Sequence, residues 1–284
     1  MSGAAIMTTG FGDRAVEAAQ QRGPLCAGID PHAQLLRDWG LPDTVEGLRT
    51  FALSAAEALA PVAAAVKPQS AFFERFGSAG VRVLEETITL CRDAGALVIL
   101  DIKRGDIGST AQAYADAYLR PTSPLFSDAV TVSPYLGFGS VRPFIDNALA
   151  AGSGVFVLAR TSNPEGAAIQ QALVDSERSV AQSIIDEAAV CNTAEIATGA
   201  RLGSVGVVVG ATVDRGAVQL SGLAGAVLAP GLGAQGASAS DLREALSGAP
   251  LVFGSTSRDV LRAGPNPADL RRRARDVADE LRAR

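Results

Sequence analysis

Short apolar runs alternate along this chain with longer stretches of helical period. Residues 25–30, 61–68, 96–100, 128–134, 154–160, 205–209, 226–229 and 251–253 are rich in Val, Ile, Leu or Ala and are bounded by Gly, Pro or a charge. They read as eight buried strands, although the alanines that dominate 61–68 are poor strand formers. Between them the periodicity predicts helices over 43–60, capped by Asp43 or Thr44, then 72–94, 111–119, 138–151, 167–198 with one break, 213–221 and 238–247. Helices at 11–21 and 267–284 flank the series. Eight strands alternating with helices predict an α/β fold, a single-domain (β/α)8 TIM barrel over 1–284 with a short N-terminal helical extension over about residues 1–23. No Gly-x-Gly-x-x-Gly joins the first strand to its helix, which argues against an open dinucleotide-binding sheet.

In such a barrel the carboxyl ends of the strands converge on one mouth, where the fold places chemistry. Asp30, Lys67, Asp101, Lys103, Ser162, Gly231 and Gly254 all stand at or just beyond predicted strand ends. The densest stretch is Asp101-Ile102-Lys103-Arg104-Gly105-Asp106, directly after the strand at 96–100. Residues two apart on a strand share a face, so Asp101 and Lys103 leave the strand side by side. Asp106 follows on a loop freed by Gly105 and Gly108.

Composition sharpens that stretch. Lysine and arginine total 25, yet the only lysines are Lys67 and Lys103, both at predicted strand ends. Arginine holds its charge permanently, whereas lysine offers a compact ammonium that can release a proton. These two positions therefore read as needing the amine itself. Lys67, Asp101, Lys103 and Asp106 form an alternating set that can stay ionised together, because buried charges cost several kcal/mol unless paired. Flanking carboxylates favour the ammonium form of Lys103, which suits a proton donor and not an imine-forming amine.

A net charge of −5 argues against a nucleic-acid binder while leaving room for one small phosphorylated ligand in a local basic pocket. No apolar run approaches the roughly 20 residues that span a bilayer, and no secretory leader is evident, so the expected setting is cytoplasmic, without membrane or nucleic-acid partners. Cys26, Cys91 and Cys191 lack zinc or redox spacing and read as free buried thiols. His32 is the only histidine, lacks a Gly-x-Ser-x-Gly partner, and reads as a surface or loop residue. The arginine run at 271–275 reads as a solvated helix face.

Two glycine-rich turns complete the picture. Pro230-Gly231-Leu232-Gly233-Ala234-Gln235-Gly236 follows the seventh strand, and Gly254-Ser255-Thr256-Ser257-Arg258 follows the eighth. Loops at these places commonly bind phosphate through exposed amides, and Arg258 offers a guanidinium fork.

Together with Cys26-Ala27-Gly28-Ile29-Asp30-Pro31-His32 and Lys67-Pro68-Gln69-Ser70-Ala71-Phe72-Phe73-Glu74, these motifs resemble the orotidine 5'-monophosphate decarboxylase family in its longer bacterial subgroup. The Asp-x-Lys-x-x-Asp pattern at 101–106 is shared with sugar-phosphate decarboxylases and synthases of the same superfamily, which carry a metal-binding acid near the place of Lys67. The resemblance implies conversion of orotidine 5'-monophosphate to uridine 5'-monophosphate without cofactor or metal. It implies that Lys103 protonates the C6 carbanion while Asp101 crowds the substrate carboxylate and orients Lys103. Lys67 and Asp30 would hold ribose hydroxyls, Ser162 the pyrimidine edge, and Gln235 and Arg258 the phosphate, alongside Pro230, Gly254 and Ser255. Asp106, Ile107 and Thr110 would reach the site of a second subunit in a homodimer. Arg258 lies four residues beyond Gly254, a longer spacing than in short family members. Two other readings stay open: a metal-dependent sugar-phosphate decarboxylase or synthase, and a barrel that binds nucleotides without catalysis.

Overall fold

All eight apolar runs become strands, because each is long enough to cross a barrel wall and has a β-branched or aliphatic face for both sides of it. A computed structural model describes residues 9–214, 216–233 and 236–282. Its strands are β1 Leu25–Ile29, β2 Ala65–Pro68, β3 Leu97–Arg104, β4 Ala129–Val132, β5 Gly154–Arg160, β6 Gly203–Val209, β7 Gly225–Pro230 and β8 Leu251–Thr256. Each is parallel to the next, and β8 pairs back onto β1 through Leu25–Gly254, Cys26–Ser255 and Ala27–Thr256 to close the ring. The chain is a single (β/α)8 barrel.

Alternation along the strands separates two cores. Cys26, Ala65, Leu97, Ile99, Ala129, Phe156, Val208, Leu228 and Phe253 fill the barrel interior. Ala27, Ile29, Val66, Val98, Leu100, Val130, Val155, Val207 and Val227 face outward into the larger core beneath the helices.

The first helix, Phe11–Arg22, is no mere extension. Phe11 is buried in the interior core and meets Phe156 edge-on, with ring centroids 5.8 Å apart. A side chain at Gly154 would come within 2.4 Å of the Phe11 ring, so glycine there makes room for the plug. The helix thus closes the amino-terminal end of the barrel. The same end is tied by Asn192, whose amide oxygen accepts from the Val205 N–H while its nitrogen donates to the carbonyls of Val205 and Leu223.

Several predicted helices differ in detail. The segment 72–94 is two helices, Ala71–Glu74 and Gly77–Asp93, broken where Gly77 takes φ 65°. The segment 167–198 divides into Ala167–Gln170 and Val180–Ala197, and 138–151 opens with the tighter turn Phe138–Val141. The helix predicted over 213–221 is replaced by turns among the described residues. A nine-residue segment interrupted by Gly216 is too short and too costly to nucleate alone. Two short helices, Ala33–Asp38 and Arg258–Leu261, escaped the pattern. They touch through Trp39, whose indole N–H donates to the Leu261 carbonyl at 2.9 Å. No helix among the described residues is long and apolar enough to cross a membrane.

Candidate active site

The carboxyl ends of β1, β2 and β3 set three inward-facing side chains against one another. Asp101 of β3 and Lys67 of β2 have side chains only 7% exposed, and the Lys67 ammonium donates to Asp101 Oδ2 at 2.9 Å. It also reaches Gln69 Oε1 at 3.3 Å and lies 4.0 Å from Asp30 Oδ1. Lys103 approaches from above, with Nζ 2.5 Å from Asp101 Oδ1. Thr131, on β4, donates its hydroxyl to the same oxygen at 2.7 Å. The strand ends are laced together by the Gln69 N–H on the Ile29 carbonyl and the Ser70 N–H on the Asp101 carbonyl.

The electrostatics follow from this packing. Burial alone would push the Asp101 carboxyl up, but Lys67 and Lys103, with hydrogen bonds from Lys103 and Thr131, hold it well below the usual carboxylate range. Burial would likewise lower the Lys67 ammonium, yet Asp101 and Asp30 keep it above its ordinary value. Both groups are charged at neutral pH. Close to them the Cys26 thiol is pushed up to about 12, chiefly by burial.

Asp106 does not join this set within the chain. Its carboxylate accepts from the Ile107 N–H at 2.8 Å, and it makes no ion pair among the described residues. The alternating array is therefore Asp30–Lys67–Asp101–Lys103, with Asp106, Ile107 and Thr110 on the outward rim of the same mouth. The reason is local: a side chain at Gly105 would meet the Ser133 carbonyl at 2.3 Å, so the backbone hugs β4 there and carries Asp106 outward.

The other predicted positions divide. Ser162 lies at the exposed end of β5 against Gly210, and Pro230 ends β7, its carbonyl accepting from the Ala211 N–H. Gly254 and Ser255 are not loop residues, because β8 runs on through the β-tolerant pair Ser255 and Thr256. Gly254 faces outward, where a side chain would collide with Leu281 at 2.7 Å, and so is turned away from the mouth. The residues that do emerge there are Ser257, directly over Gly28, and Arg258, which is exposed and has no ion pair among the described residues. Gln235 lies outside the described residues. His32 is half-buried against Phe72, with ring centroids 4.1 Å apart, and burial, opposed by Asp30 and aided by Arg258, lowers its pKa.

Buried polar atoms without a hydrogen-bond partner among the described residues gather at the carboxyl ends of the strands, Asp30 Oδ1 and Ser257 Oγ among them, with Arg104 Nε, Arg160 Nε and Thr256 Oγ1. Buried groups of this kind are rare unless a ligand or water completes them. Three participants were not singled out from the sequence for a role at the site: Thr131, Gln69 and Ser257. Thr131 is marked only as one inward polar residue in the otherwise apolar alternation of β4, while Gln69 and Ser257 lie just past the ends of β2 and β8. No group of three or more His, Cys, Asp or Glu among the described residues is placed to hold a metal ion.

The orotidine 5'-phosphate decarboxylase / HUMPS family profile matches residues 23–268, which span every strand and the whole mouth. The chain belongs to that family. An orotidine 5'-phosphate decarboxylase of Salinispora arenicola is 58% identical over 275 residues, covering 96% of this chain and 97% of the relative. Among solved structures, a candidate orotidine 5'-phosphate decarboxylase of Streptomyces avermitilis superposes with a TM-score of 0.92 at 51% identity, covering 99% of this chain and 98% of the other. The Leishmania donovani decarboxylase is more distant, with a TM-score of 0.75 and 32% identity over 96% of this chain and 98% of its own. This decarboxylase family is thus matched in sequence and in fold across the barrel.

Proposed function

We propose that the chain removes the C6 carboxylate of orotidine 5'-monophosphate as carbon dioxide, yielding uridine 5'-monophosphate, with its own side chains as the whole catalytic apparatus. Family membership and relatives of that activity over nearly the full chain support the reaction. The observation that carries the mechanism is the Lys67–Asp101–Lys103 array, in which Lys67 and Asp101 are buried and Lys103, 45% exposed, faces the open mouth.

The C6–carboxylate bond breaks and leaves its electron pair on C6. That carbon has no ready electron sink, so fixed positive charge must meet it and a proton must follow. Lys103 supplies both: its ammonium faces the growing charge and transfers a proton to C6, and the amine recovers a proton from solvent. Asp101 is held anionic at neutral pH and crowds the substrate carboxylate, a repulsion that ends when that group leaves as neutral carbon dioxide. Lys67 and Asp30 hold the ribose hydroxyls, Ser162 the pyrimidine edge, and Arg258, with Gln235 and the Pro230 turn, the phosphate. Phosphate binding far from the reacting carbon gives the enzyme a handle for holding the strained carboxylate in place.

The rim completes the site from a second copy. Ile107 is 62% exposed, and Tyr135 and Leu136 on the adjoining loop are 75% and 53% exposed. A second chain seated on that apolar rim would receive Asp106, Ile107 and Thr110 at its own mouth, making the active unit a homodimer. The test is to mix the protein with orotidine 5'-monophosphate in excess chelator and follow the ultraviolet change. Conversion at the chelator-free rate is expected. Conversion that stops with chelator favours the metal-dependent sugar-phosphate branch, and binding without conversion favours a non-catalytic barrel.

A further inference from the structure

Between Leu100 and Arg104 the pairing of β3 with β4 slips: Leu100 faces Val130, yet Arg104 faces Val132. Four steps on one strand answer two on the other, so β3 bulges away from its neighbour. The residues inside the bulge lose their ladder partners, and a buried N–H without an acceptor is costly. Here the acceptor is a side chain. Thr131 Oγ1 receives the N–H groups of both Ile102 and Lys103, each at 3.1 Å.

A hydroxyl has one proton to donate and two lone pairs to accept with. Two backbone amides can only donate, so they occupy both lone pairs and leave the hydroxyl proton one direction. It points at Asp101 Oδ1, 2.7 Å away. Lys103 itself has φ 45°, and it shares a positive φ with only one other non-glycine among the described residues, Ala224. L-residues avoid that region, and they keep it where surrounding bonds over-determine it and a functional site uses it.

We propose that Thr131 is a positioning residue for the proton transfer: its one hydroxyl fixes the left-handed backbone that aims the Lys103 ammonium and the orientation of the Asp101 carboxylate that receives it. This rests on the decarboxylase reading above. All three hydrogen bonds of the hydroxyl go to protein groups. It binds the donor's backbone and the donor's partner at once, so the distance from Lys103 Nζ to the reacting carbon depends on it. It stays on Asp101 Oδ1 when Lys103 has given up its proton, so the carboxylate does not swing while the amine is neutral.

The test compares Thr131→Val, which keeps the shape and loses the hydroxyl, with Thr131→Ser, which keeps the hydroxyl. Three quantities are read: turnover per nucleotide-binding site, with sites counted by titration with uridine 5'-monophosphate; KM for orotidine 5'-monophosphate; and hydrogen exchange at the amides of Ile102 and Lys103. Thr131→Val should slow turnover per site by roughly tenfold to a hundredfold, the scale of a displacement near 1 Å, with KM little changed and both amides exchanging faster. Thr131→Ser should restore turnover and protection together. If the valine variant does not fold, Thr131→Ala is read in the same way. Unchanged turnover in the valine variant, a serine variant equally slow, or a loss confined to KM or to the number of sites overturns the proposal. A wild type that binds uridylate but leaves orotidylate intact refutes the decarboxylase reading instead, while faster exchange in the valine variant still assigns Thr131 as holder of the Lys103 backbone.

Discussion

Each end of the barrel holds one buried aspartate between two cations. At the closed end Asp128 accepts from Arg14 at 2.6 Å and from the Val98 N–H at 3.0 Å, with Arg92 3.6 Å away. At the open end Asp101 accepts from Lys103 at 2.5 Å, Thr131 at 2.7 Å and Lys67 at 2.9 Å. Both carboxylates are 7% exposed. The difference lies in the cations and in what remains unpaired around them. Arginine cannot release a proton in a protein, so the Asp128 cluster can only hold structure together. Lysine can, and around Asp101 stand buried polar atoms, Asp30 Oδ1 and Ser257 Oγ, without hydrogen-bond partners among the described residues. On the proposed reading, one geometry serves stability at one end and chemistry at the other.

The largest effect that would break this comparison concerns Asp101. Asp101→Ala leaves the Lys67 ammonium buried without its partner, which costs about 3–5 kcal/mol of stability. It should also cut turnover by roughly 10²–10⁴-fold, the range for a positioned acid–base group, because Lys103 loses the carboxylate that positions it, in protein that still melts cooperatively. Calorimetry and steady-state kinetics on one preparation check both. Turnover near wild type would place the chemistry elsewhere.

Arg258→Ala comes next. Hydrogen bonds to charged groups contribute about 1.5–3 kcal/mol, so KM for the phosphate ester should rise roughly 10- to 150-fold with a smaller change in kcat. Unchanged kinetics would remove Arg258 from the site. At the closed end, Asp128→Asn should lower stability by about 1–3 kcal/mol, because the Val98 N–H and two arginines lose a charged partner. Turnover per folded molecule should stay as in the wild type, and a matching loss of activity would erase the contrast between the two ends.

A smaller effect sharpens the electrostatics. Asp101 titrates below its unfolded value, so its contribution to stability is complete above about pH 4 and is withdrawn as pH falls through its lower folded value. Lys67 titrates above its unfolded value, so its contribution is complete below about pH 10 and is lost on further rise. The gap in melting temperature between wild type and Asp101→Asn should therefore be flat from about pH 5 to 9 and narrow outside that window, below about pH 4 and well above pH 10. A gap that closes near neutrality contradicts the buried ion pair.

Much of this was legible in the chain itself. Eight aliphatic runs, each followed by helical period, determine the barrel, and the i, i+2 spacing puts Asp101 and Lys103 on one face. The scarcity of lysine drew attention to Lys67, now seen 2.9 Å from Asp101. Other features depend on tertiary placement. Nothing in an amphipathic helix says that Phe11 will plug the barrel, since the clue is the room left by a glycine 143 residues on, at Gly154. Ser255 and Thr256 suit strand and loop equally, so the extension of β8 past Gly254 was hidden. Thr131 is a commonplace strand residue until a bulge on the neighbouring strand delivers two amides to it.

Whether Lys103 stands where it does in order to release a proton is decided by Lys103→Arg. Arginine preserves the positive charge beside Asp101 and withholds the proton. Measured against wild type at matched uridine 5'-monophosphate binding, decarboxylation of orotidine 5'-monophosphate should be abolished while the nucleotide still binds. Turnover within tenfold of wild type would contradict it, because charge alone would then suffice.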